Sequence, residues 1–320
     1  MHDLTYGDVT YGDVEKAAAR IAGRTRPVAV TPACPGSGRA RLALEFMQHT
    51  GSFKARGAWN FLAAHREAGT LPPAGVTIAS GGNAGLACAW AARQQGLPAT
   101  VFLPGNAPQV KADRLRGYGA DVRLAGTEYA EALAACEEFA RTSGALASHA
   151  YDHPLIAAGA GTLLDEIRAA VPGLDTVVVA VGGGGLFAGV AAAARHHGIR
   201  TVAVEPAGSR ALHAALEAGH VVDVTVDSVA ADALGARRVS GTALAAARHA
   251  DVISLLVPDE AITAARQALW DDRRIAVEPA GATALAALAP GGPYVPAEDE
   301  TVAIVLCGAN TDPADLVRRP

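Results

Sequence analysis

Lys54, in the segment HTGSFKARGAW at residues 49–59, is one of three lysines among 27 basic residues. The others are Lys16 and Lys111, so the chain otherwise uses arginine. Both residue types suit a solvated surface, but only an amine can lose its proton near neutral pH and form a Schiff base with an aldehyde. Lys54 is therefore either an incidental surface lysine or a nucleophile, and composition alone leaves both interpretations open.

A second candidate is the segment VGGGGLFAGV at residues 181–190, where a predicted strand meets a predicted helix. Its four consecutive glycines allow a tight turn that presents several N–H groups in front of the positive end of the helix. This arrangement is typical of a phosphate-binding turn. The simpler interpretation is a tight strand–helix connection, although such a connection seldom needs four glycines. The glycines are Gly182, Gly183, Gly184 and Gly185.

The same segment permits a different cofactor. Gly183, Gly185 and Ala188 fit the pattern G-x-G-x-x-A, and Glu205 ends the next predicted strand about 20 residues later, where a ribose-binding acid is expected. An NAD-dependent oxidoreductase is therefore an alternative. The pattern lies in the middle of the chain, however, whereas the dinucleotide fingerprint usually opens its own domain.

Three further stretches end predicted strands or begin predicted helices. In SGGNAG, at 80–85, Ser80 and Asn83 would suit a carboxylate or phenolate oxygen, or would simply cap the helix. Cys307 ends an apolar strand at the edge where α/β folds bind ligands, although a buried cysteine is usually inert. The segment AVEPAGATALAAL, at 276–288, is interpreted as a structural helix opened by Pro279.

These stretches are positioned by a repeated strand–turn–helix pattern. GVTIAS precedes AGLACAWAARQQG, and TVVVAVG precedes GLFAGVAAAARHHG. The strands are short and almost continuously apolar, as expected for strands covered by helices on both faces. Several helices end in glycine. The pattern predicts an α/β fold with parallel sheets. Without a Pro/Ser-rich linker, any second domain would be inserted or would share an interface with the first.

The overall composition argues against several classes of protein. The chain has 320 residues, 50% apolar and 18% charged, and a net charge of −5, so we expect a globular protein that binds neither nucleic acid nor membrane. The polar N-terminus, with TYGDV at 5–9 repeated at 10–14, does not resemble a secretory signal. Four scattered cysteines without a CxxC pair favour the reducing cytoplasm and argue against zinc. They are Cys34, Cys88, Cys136 and Cys307.

Taken together, the motifs resemble the fold-type-II pyridoxal-phosphate enzymes, and most closely the L-serine/L-threonine dehydratases. The resemblance extends from residue 27 onward and rests on TP (31–32), GSFKARGA, ASGGNAGLACAWAARQQGLPATVFLP, YDHPLI, VGGGGLFAGV, DSVAADALGARRV, VEPAGATALAAL and LCGANTDP. It implies two doubly wound open-sheet α/β domains of the tryptophan-synthase-β-like type. Residues 1–46 and 152–320 would form the large cofactor-binding domain, and residues 47–151 a small inserted domain on the substrate side.

The resemblance also assigns roles to individual residues. Lys54 would hold pyridoxal 5'-phosphate as a Schiff base, with Phe53 and Ala233 on the two faces of the ring. The four glycines would surround the phosphate, Asn83 would bind the phenolic oxygen, and Cys307 would face the pyridine nitrogen. The substrate carboxylate would be held by the turn that contains Ser80, Gly82, Asn83 and Ala84.

The implied reaction is loss of water from a β-hydroxy amino acid such as L-serine or L-threonine, giving a 2-oxo acid and ammonia. A neutral thiol at the pyridine nitrogen limits charge storage in the ring, which favours elimination over racemisation. Gly81 stands where serine-racemising relatives carry a hydroxyl base. The alternatives are a 3-hydroxyaspartate dehydratase, a racemase, a β-replacement enzyme and, on the same fold, a non-catalytic amino-acid-binding protein.

Two expectations concern assembly and ions. The resemblance implies a homodimer. Glu205 and Ser209 match a cation site of the family, but Ala211 replaces the acid that some members carry two positions later. A monovalent cation is therefore a better expectation than a divalent one.

Overall fold

The computed structural model describes residues 8–33 and 39–317. Cys34 and the first three residues of the first TYGDV copy lie outside these ranges. Within them, no helix combines the length and the apolar character needed to cross a bilayer.

The strands of the described ranges form two sheets. Their bounds are β1 (Val30–Pro32), β2 (Ala40–Ala43), β3 (Val76–Ala79), β4 (Ala99–Leu103), β5 (Asp121–Leu124), β6 (Leu146–Ala147), β7 (Thr176–Ala180), β8 (Arg200–Pro206), β9 (Val252–Val257) and β10 (Val302–Val305).

The helices of the described ranges lie mostly between successive strands. They are α1 (Tyr11–Ile21), α2 (Lys54–Glu67), α3 (Asn83–Gln94), α4 (Gln109–Gly117), α5 (Tyr129–Ser143), α6 (Pro154–Ala170), α7 (Gly185–His196), α8 (Ala211–Ala218), α9 (Ala231–Leu234), α10 (Gly241–Ala247), α11 (Asp259–Arg273), α12 (Pro279–Ala286) and α13 (Ala314–Val317). Two short 3-10 turns, Glu45–Met47 and His49–Gly51, precede α2.

The larger sheet has the strand order β1-β2-β10-β7-β8-β9 and the smaller sheet β5-β4-β3-β6. All neighbouring strands are parallel except β1 and β2, which are antiparallel. β3, β4, β7 and β10 are completely buried, as their apolar sequences predict. The predicted α/β class with parallel sheets is confirmed.

Close helix packing brings the two sheets together. α6 begins with His153 as its N-cap and Pro154 in its first turn, which suits a helix start. A Cβ on Gly159 would lie 2.7 Å from the backbone oxygen of Arg56, so glycine lets α6 approach α2 closely. The apolar core of the smaller sheet also includes Ile21 and Ile156. Both isoleucines lie outside residues 47–151, so this core is not confined to the predicted small domain. The predicted domain boundaries at 47 and 151 stay a prediction.

Candidate active site

Lys54 is the first residue of α2 and lies at the carboxyl end of β10. The segment before it pairs with the chain that follows β10: the Phe53 N–H donates to the Cys307 carbonyl at 3.0 Å, and Ser52 forms an isolated antiparallel bridge with Gly308. These backbone bonds join the LCGA segment to the SFKA segment, although more than 250 residues separate them in sequence. Lys54 and Cys307 are thereby brought to one place.

The turn that leads to Lys54 is conformationally unusual. Thr50 has a φ of 62° and Gly51 a φ of 76°. A left-handed conformation costs a β-branched residue about 1–2 kcal/mol. The side-chain amide of Asn310 donates to the Thr50 carbonyl at 2.7 Å, which holds the turn. The buried hydroxyls of Thr50 and Ser52 have no hydrogen-bond partner among the described residues. Such strain and unsatisfied groups are typical of functional sites.

The Lys54 side chain is partly buried, and the pKa of its amine is lowered. Its Nζ donates to the Ala150 carbonyl at 2.7 Å and lies 4.7 Å from the centre of the Phe53 ring. Burial lowers the pKa of Lys54 from 10.5 to about 8, while the nearby carboxylate of Glu278 opposes this shift. A substantial fraction of the amine is therefore neutral in mildly alkaline solution, as nucleophilic attack on an aldehyde requires.

Arg56, two residues after Lys54, anchors the start of α2. Its guanidinium is fully buried and binds both Glu45 and Glu166, with Nε donating to Glu45 at 2.7 Å and Nη1 to Glu166 at 2.6 Å. Nη1 also donates to the Thr162 hydroxyl at 3.3 Å. A forked guanidinium can satisfy two carboxylates at once, which a lysine cannot do. Arg56 therefore holds the helix that carries Lys54.

The four glycines form the connection from β7 to α7. Gly184 has a φ of 94°, and a Cβ there would lie 2.3 Å from the Ala243 side chain. A Cβ on Gly183 would lie 2.3 Å from the Tyr151 ring. The N–H groups of Gly182, Gly183 and Gly184 have no acceptor among the described residues. Free N–H groups in front of a 12-residue helix suit an anionic group, so the turn fits a phosphate.

The SGGNA turn connects β3 to α3. The Ser80 hydroxyl accepts a bond from the Gly82 N–H at 3.4 Å, and Asn83 and Ala84 are the first residues of α3. A Cβ on Gly81 would lie 2.9 Å from the Leu103 side chain, so a larger residue at position 81 requires Leu103 to move. The turn thus presents the N-terminus of a 12-residue helix beside Ser80, which suits a carboxylate.

Asn83 belongs to a hydrogen-bond network with Glu278 and Asn310. Its Nδ2 donates to Glu278 Oε1 at 2.7 Å, and its Oδ1 accepts from Asn310 Nδ2 at 2.6 Å. The Asn310 backbone N–H donates to Glu278 Oε2 at 3.1 Å. An amide nitrogen carries two hydrogens, so Asn83 keeps one for a further acceptor. This fits the predicted contact with a phenolic oxygen.

Glu278 is a residue of the candidate site that the sequence alone does not reveal. The sequence of 276–288 predicts a structural helix, yet Glu278, which lies directly before α12, is a carboxylate only 5% exposed. Burial raises its pKa to about 7, against the bonds from Asn83 and Asn310, which lower it. The available signal was a carboxylate within an otherwise apolar stretch, because such a group needs hydrogen-bond donors when buried.

Cys307 is buried and its thiol donates to the Ala280 carbonyl, with a sulfur–oxygen distance of 3.6 Å. Burial raises the pKa of this thiol far above its usual range, so it is neutral at physiological pH. The predicted neutral group is therefore present at the carboxyl end of β10. Phe53 lies beneath the Lys54 amine, whereas Ala233 is exposed on α9 next to Leu234, whose backbone packs against Gly182. Their placement on the two ring faces stays a prediction.

Glu205 and Ser209 have partners of their own. The Glu205 carboxylate accepts the N–H groups of Leu212 and His213, both at 2.8 Å, and so caps α8. Burial raises its pKa to about 7, opposed by these two bonds. The Ser209 hydroxyl donates to the Leu234 carbonyl at 2.7 Å. No hydrogen bond within the described part of the chain joins Glu205 to Ser209.

The chain is similar to known proteins along most of its length. A family model described as "Pyridoxal-phosphate dependent enzyme" matches residues 30–308. The chain is 38% identical over 283 residues to "Serine dehydratase-like" of Rattus norvegicus, covering 84% of both chains. It is 34% identical over 317 residues to "L-threonine dehydratase catabolic TdcB" of Staphylococcus aureus, covering 95% of this chain and 90% of the relative. The solved structure of maize serine racemase superposes with a TM-score of 0.88 at 29% identity, covering 97% of this chain and 96% of that one.

Proposed function

The chain belongs to the pyridoxal-phosphate-dependent enzyme family, and from this premise we propose that it removes water from a β-hydroxy amino acid. The products are a 2-oxo acid and ammonia. The relatives named as serine and threonine dehydratases support this reaction class, as does the neutral Cys307 thiol. The observation that carries the proposal is the Lys54 amine, whose pKa of about 8 suits capture of an aldehyde.

The residues present fit the cofactor. The free N–H groups of the glycine turn would bind the phosphate, the spare hydrogen of Asn83 would bind the phenolic oxygen, and Cys307 would lie at the pyridine nitrogen. Phe53 and Ala233 would cover the two faces of the ring. When bound, pyridoxal phosphate supplies an electron sink for breaking the Cα–H bond and expelling the β-hydroxyl.

Lys54 would perform two tasks. Its Nζ would hold the cofactor covalently in the resting enzyme and, once displaced by the substrate amine, would accept the α-proton. Burial suits the second task, because it brings the pKa of the free amine close to physiological pH. The turn of Ser80, Gly82, Asn83 and Ala84 would orient the substrate through its carboxylate at the start of α3.

Four further properties are part of the proposal. We propose that two copies of the chain form a homodimer and that the protein is located in the cytoplasm. Within each copy, we propose a large domain of residues 1–46 and 152–320 and a small domain of residues 47–151. Light scattering of the purified protein measures the first property. A monovalent cation near Glu205 and Ser209 is also proposed, and replacing potassium by a tetraalkylammonium ion in the assay tests it.

An absorption spectrum tests the central proposal. Purified protein incubated with pyridoxal phosphate is expected to be yellow, and Lys54→Ala is expected to lose the visible band and the release of 2-oxo acid. Lys16→Ala is the matched control, because Lys16 is exposed on α1 and forms an ion pair with Asp13. A colourless wild-type protein, or a Lys54→Ala variant that still releases 2-oxo acid from every substrate, would overturn the proposal.

A further inference from the structure

A short turn with the sequence HAYD, residues 149–152, lies between Lys54 and the glycine turn. Its Ala150 carbonyl accepts the hydrogen bond from Lys54 Nζ at 2.7 Å. The next residue, Tyr151, packs against the glycines, because a Cβ on Gly183 would lie 2.3 Å from its ring. The HAYD turn therefore contacts both the amine and the phosphate-binding segment that are proposed to hold the cofactor.

The side chain of His149 holds this turn in shape. Its Nδ1 accepts hydrogen bonds from the backbone N–H groups of Tyr151 at 3.3 Å and Asp152 at 2.8 Å. Its ring also packs edge-to-face on the Tyr151 ring, with the ring centroids 4.8 Å apart and the planes at 85°. A side chain that accepts from N–H groups two and three residues further along closes the backbone into a turn. His149 therefore determines where the Ala150 carbonyl and the Tyr151 ring lie.

The two hydrogen bonds require a neutral imidazole. A neutral ring has one nitrogen that donates and one that accepts, so Nδ1 of His149 accepts only while the hydrogen is on Nε2. A protonated ring carries hydrogen on both nitrogens, and Nδ1 would then face two other donors. Both bonds to the backbone would break. Because His149 is exposed to solvent, a proton can reach its ring.

We propose that His149 is a positioning residue for the Lys54 amine: its neutral imidazole holds the HAYD turn, and its protonation in acid releases the Ala150 carbonyl from its place beside Lys54. The inference rests on the proposed elimination, in which Lys54 accepts the α-proton. A general base must lie within hydrogen-bond reach of the proton that it accepts, so release of the turn should lower kcat. The substrate carboxylate is proposed to bind at the separate turn of Ser80, so KM should change less.

The groups around the ring determine when it is protonated. Partial desolvation by the surrounding protein lowers the pKa of His149, the Asp152 carboxylate opposes this shift, and the Lys54 amine adds to it. His149 is therefore neutral above pH 7 and becomes protonated only in acid. His153, which caps α6 through its own Nδ1, has its pKa lowered to about 4 by burial, with His65 and His149 adding to the shift. This second imidazole stays neutral at pH 5.

The experiment compares His149→Asn with His149→Ala. An asparagine oxygen can accept from the same N–H groups and does not titrate, whereas alanine offers no acceptor. At pH 8, with L-serine or L-threonine as substrate, we expect His149→Asn to keep kcat within about threefold of wild type. We expect His149→Ala to lower kcat about tenfold or more and to change KM less than about threefold. His220→Ala is the matched control, because His220 is exposed and its ring contacts the Ala218 carbonyl two residues earlier.

The pH profile of kcat tests the protonation itself. Glu278 titrates in the same range, with a pKa of about 7, but it is present in both proteins, so the difference between them reports on His149. Between pH 8 and pH 5 we expect kcat of wild type to fall at least about threefold more than kcat of His149→Asn. An equal fall in the two proteins, or an unchanged kcat in His149→Ala, would overturn the inference.

Amide hydrogen exchange of the cofactor-free protein tests the turn without catalysis. After division by the intrinsic exchange rate at each pH, we expect the Tyr151 and Asp152 N–H groups to exchange at least about fivefold faster at pH 5 than at pH 8 in wild type. In His149→Asn we expect no such change, and the same pH dependence in both proteins would contradict the role of His149. If no substrate yields a 2-oxo acid, the elimination is wrong, and the exchange rates still decide whether His149 holds the turn. The same comparison decides it if His149→Ala does not fold.

Discussion

The side-chain amide of Asn83 donates to the buried carboxylate of Glu278 at 2.7 Å, which links the start of α3 to the start of α12. α3 follows a strand of the smaller sheet, and α12 precedes a strand of the larger one. The bond fixes the orientation of the Asn83 amide, because Glu278 can only accept when it is ionised. The protonation state of Glu278 therefore determines whether the Asn83 side chain presents an N–H group to a ligand oxygen.

Glu278 makes a measurable contribution to the pH dependence of stability. Its pKa is about 7 in the folded chain, against an ordinary value of 4.5, so between these pH values the folded state binds more protons than the unfolded state. The free energy of unfolding must then fall as pH rises through this window. Glu278→Gln removes this contribution. In urea denaturation of the cofactor-free protein from pH 5 to pH 8, we expect wild type to lose stability relative to Glu278→Gln.

The matched control for that experiment is Glu260→Gln, on the exposed first turn of α11. Its stability difference from wild type is expected to stay constant with pH. A constant difference for Glu278→Gln as well would contradict the raised pKa of Glu278.

Cofactor capture by Lys54 should depend on pH with a midpoint near 8. The neutral amine is the nucleophile, and the pKa of Lys54 is about 8 because the amine is buried. The rate of pyridoxal phosphate attachment to the cofactor-free protein is expected to increase about tenfold from pH 7 to pH 9 and then to level off. Stopped-flow absorbance measures this rate. A rate that keeps rising past pH 10 would instead indicate an ordinary lysine.

Removing Arg56 should destabilise the whole chain. Arg56→Met leaves the carboxylates of Glu45 and Glu166 without their shared cation, one of them fully buried. Breaking a buried ion pair in this way costs about 3–5 kcal/mol. Arg141→Ala, which breaks an exposed pair with Glu138, is expected to cost less than about 1 kcal/mol. Chemical denaturation measures both, and similar losses in the two variants would refute the anchoring role of Arg56.

Gly183→Ala should weaken cofactor binding. The added Cβ would lie 2.3 Å from the Tyr151 ring, so either the turn or the ring must move. We expect the dissociation constant for pyridoxal phosphate to rise at least tenfold, as measured by titration of the cofactor-free protein. Gly241→Ala is the control, because a Cβ there meets nothing within 4 Å. Unchanged affinity in Gly183→Ala would show that the turn is not needed for the cofactor.

The local part of the site could be predicted from the sequence. The four consecutive glycines and the SGGNA turn are recognisable as tight turns before helices, because glycine conformation and helix starts depend on neighbouring residues. Lys54 stands out only by its rarity among the basic residues. The alternation of apolar strands with helices determined the α/β class in the same way. Glu278 could not be assigned, because its role depends on donors from two distant segments, Asn83 and Asn310.

By itself, then, the sequence determined which elements form and which residues end them, since those properties depend on short-range backbone preferences and apolar periodicity. Only the tertiary structure decided which ends meet. It placed Lys54 beside Cys307 and surrounded the amine with enough protein to lower its pKa to about 8. Desolvation and charge balance depend on every group that folding brings near, and no local pattern contains them.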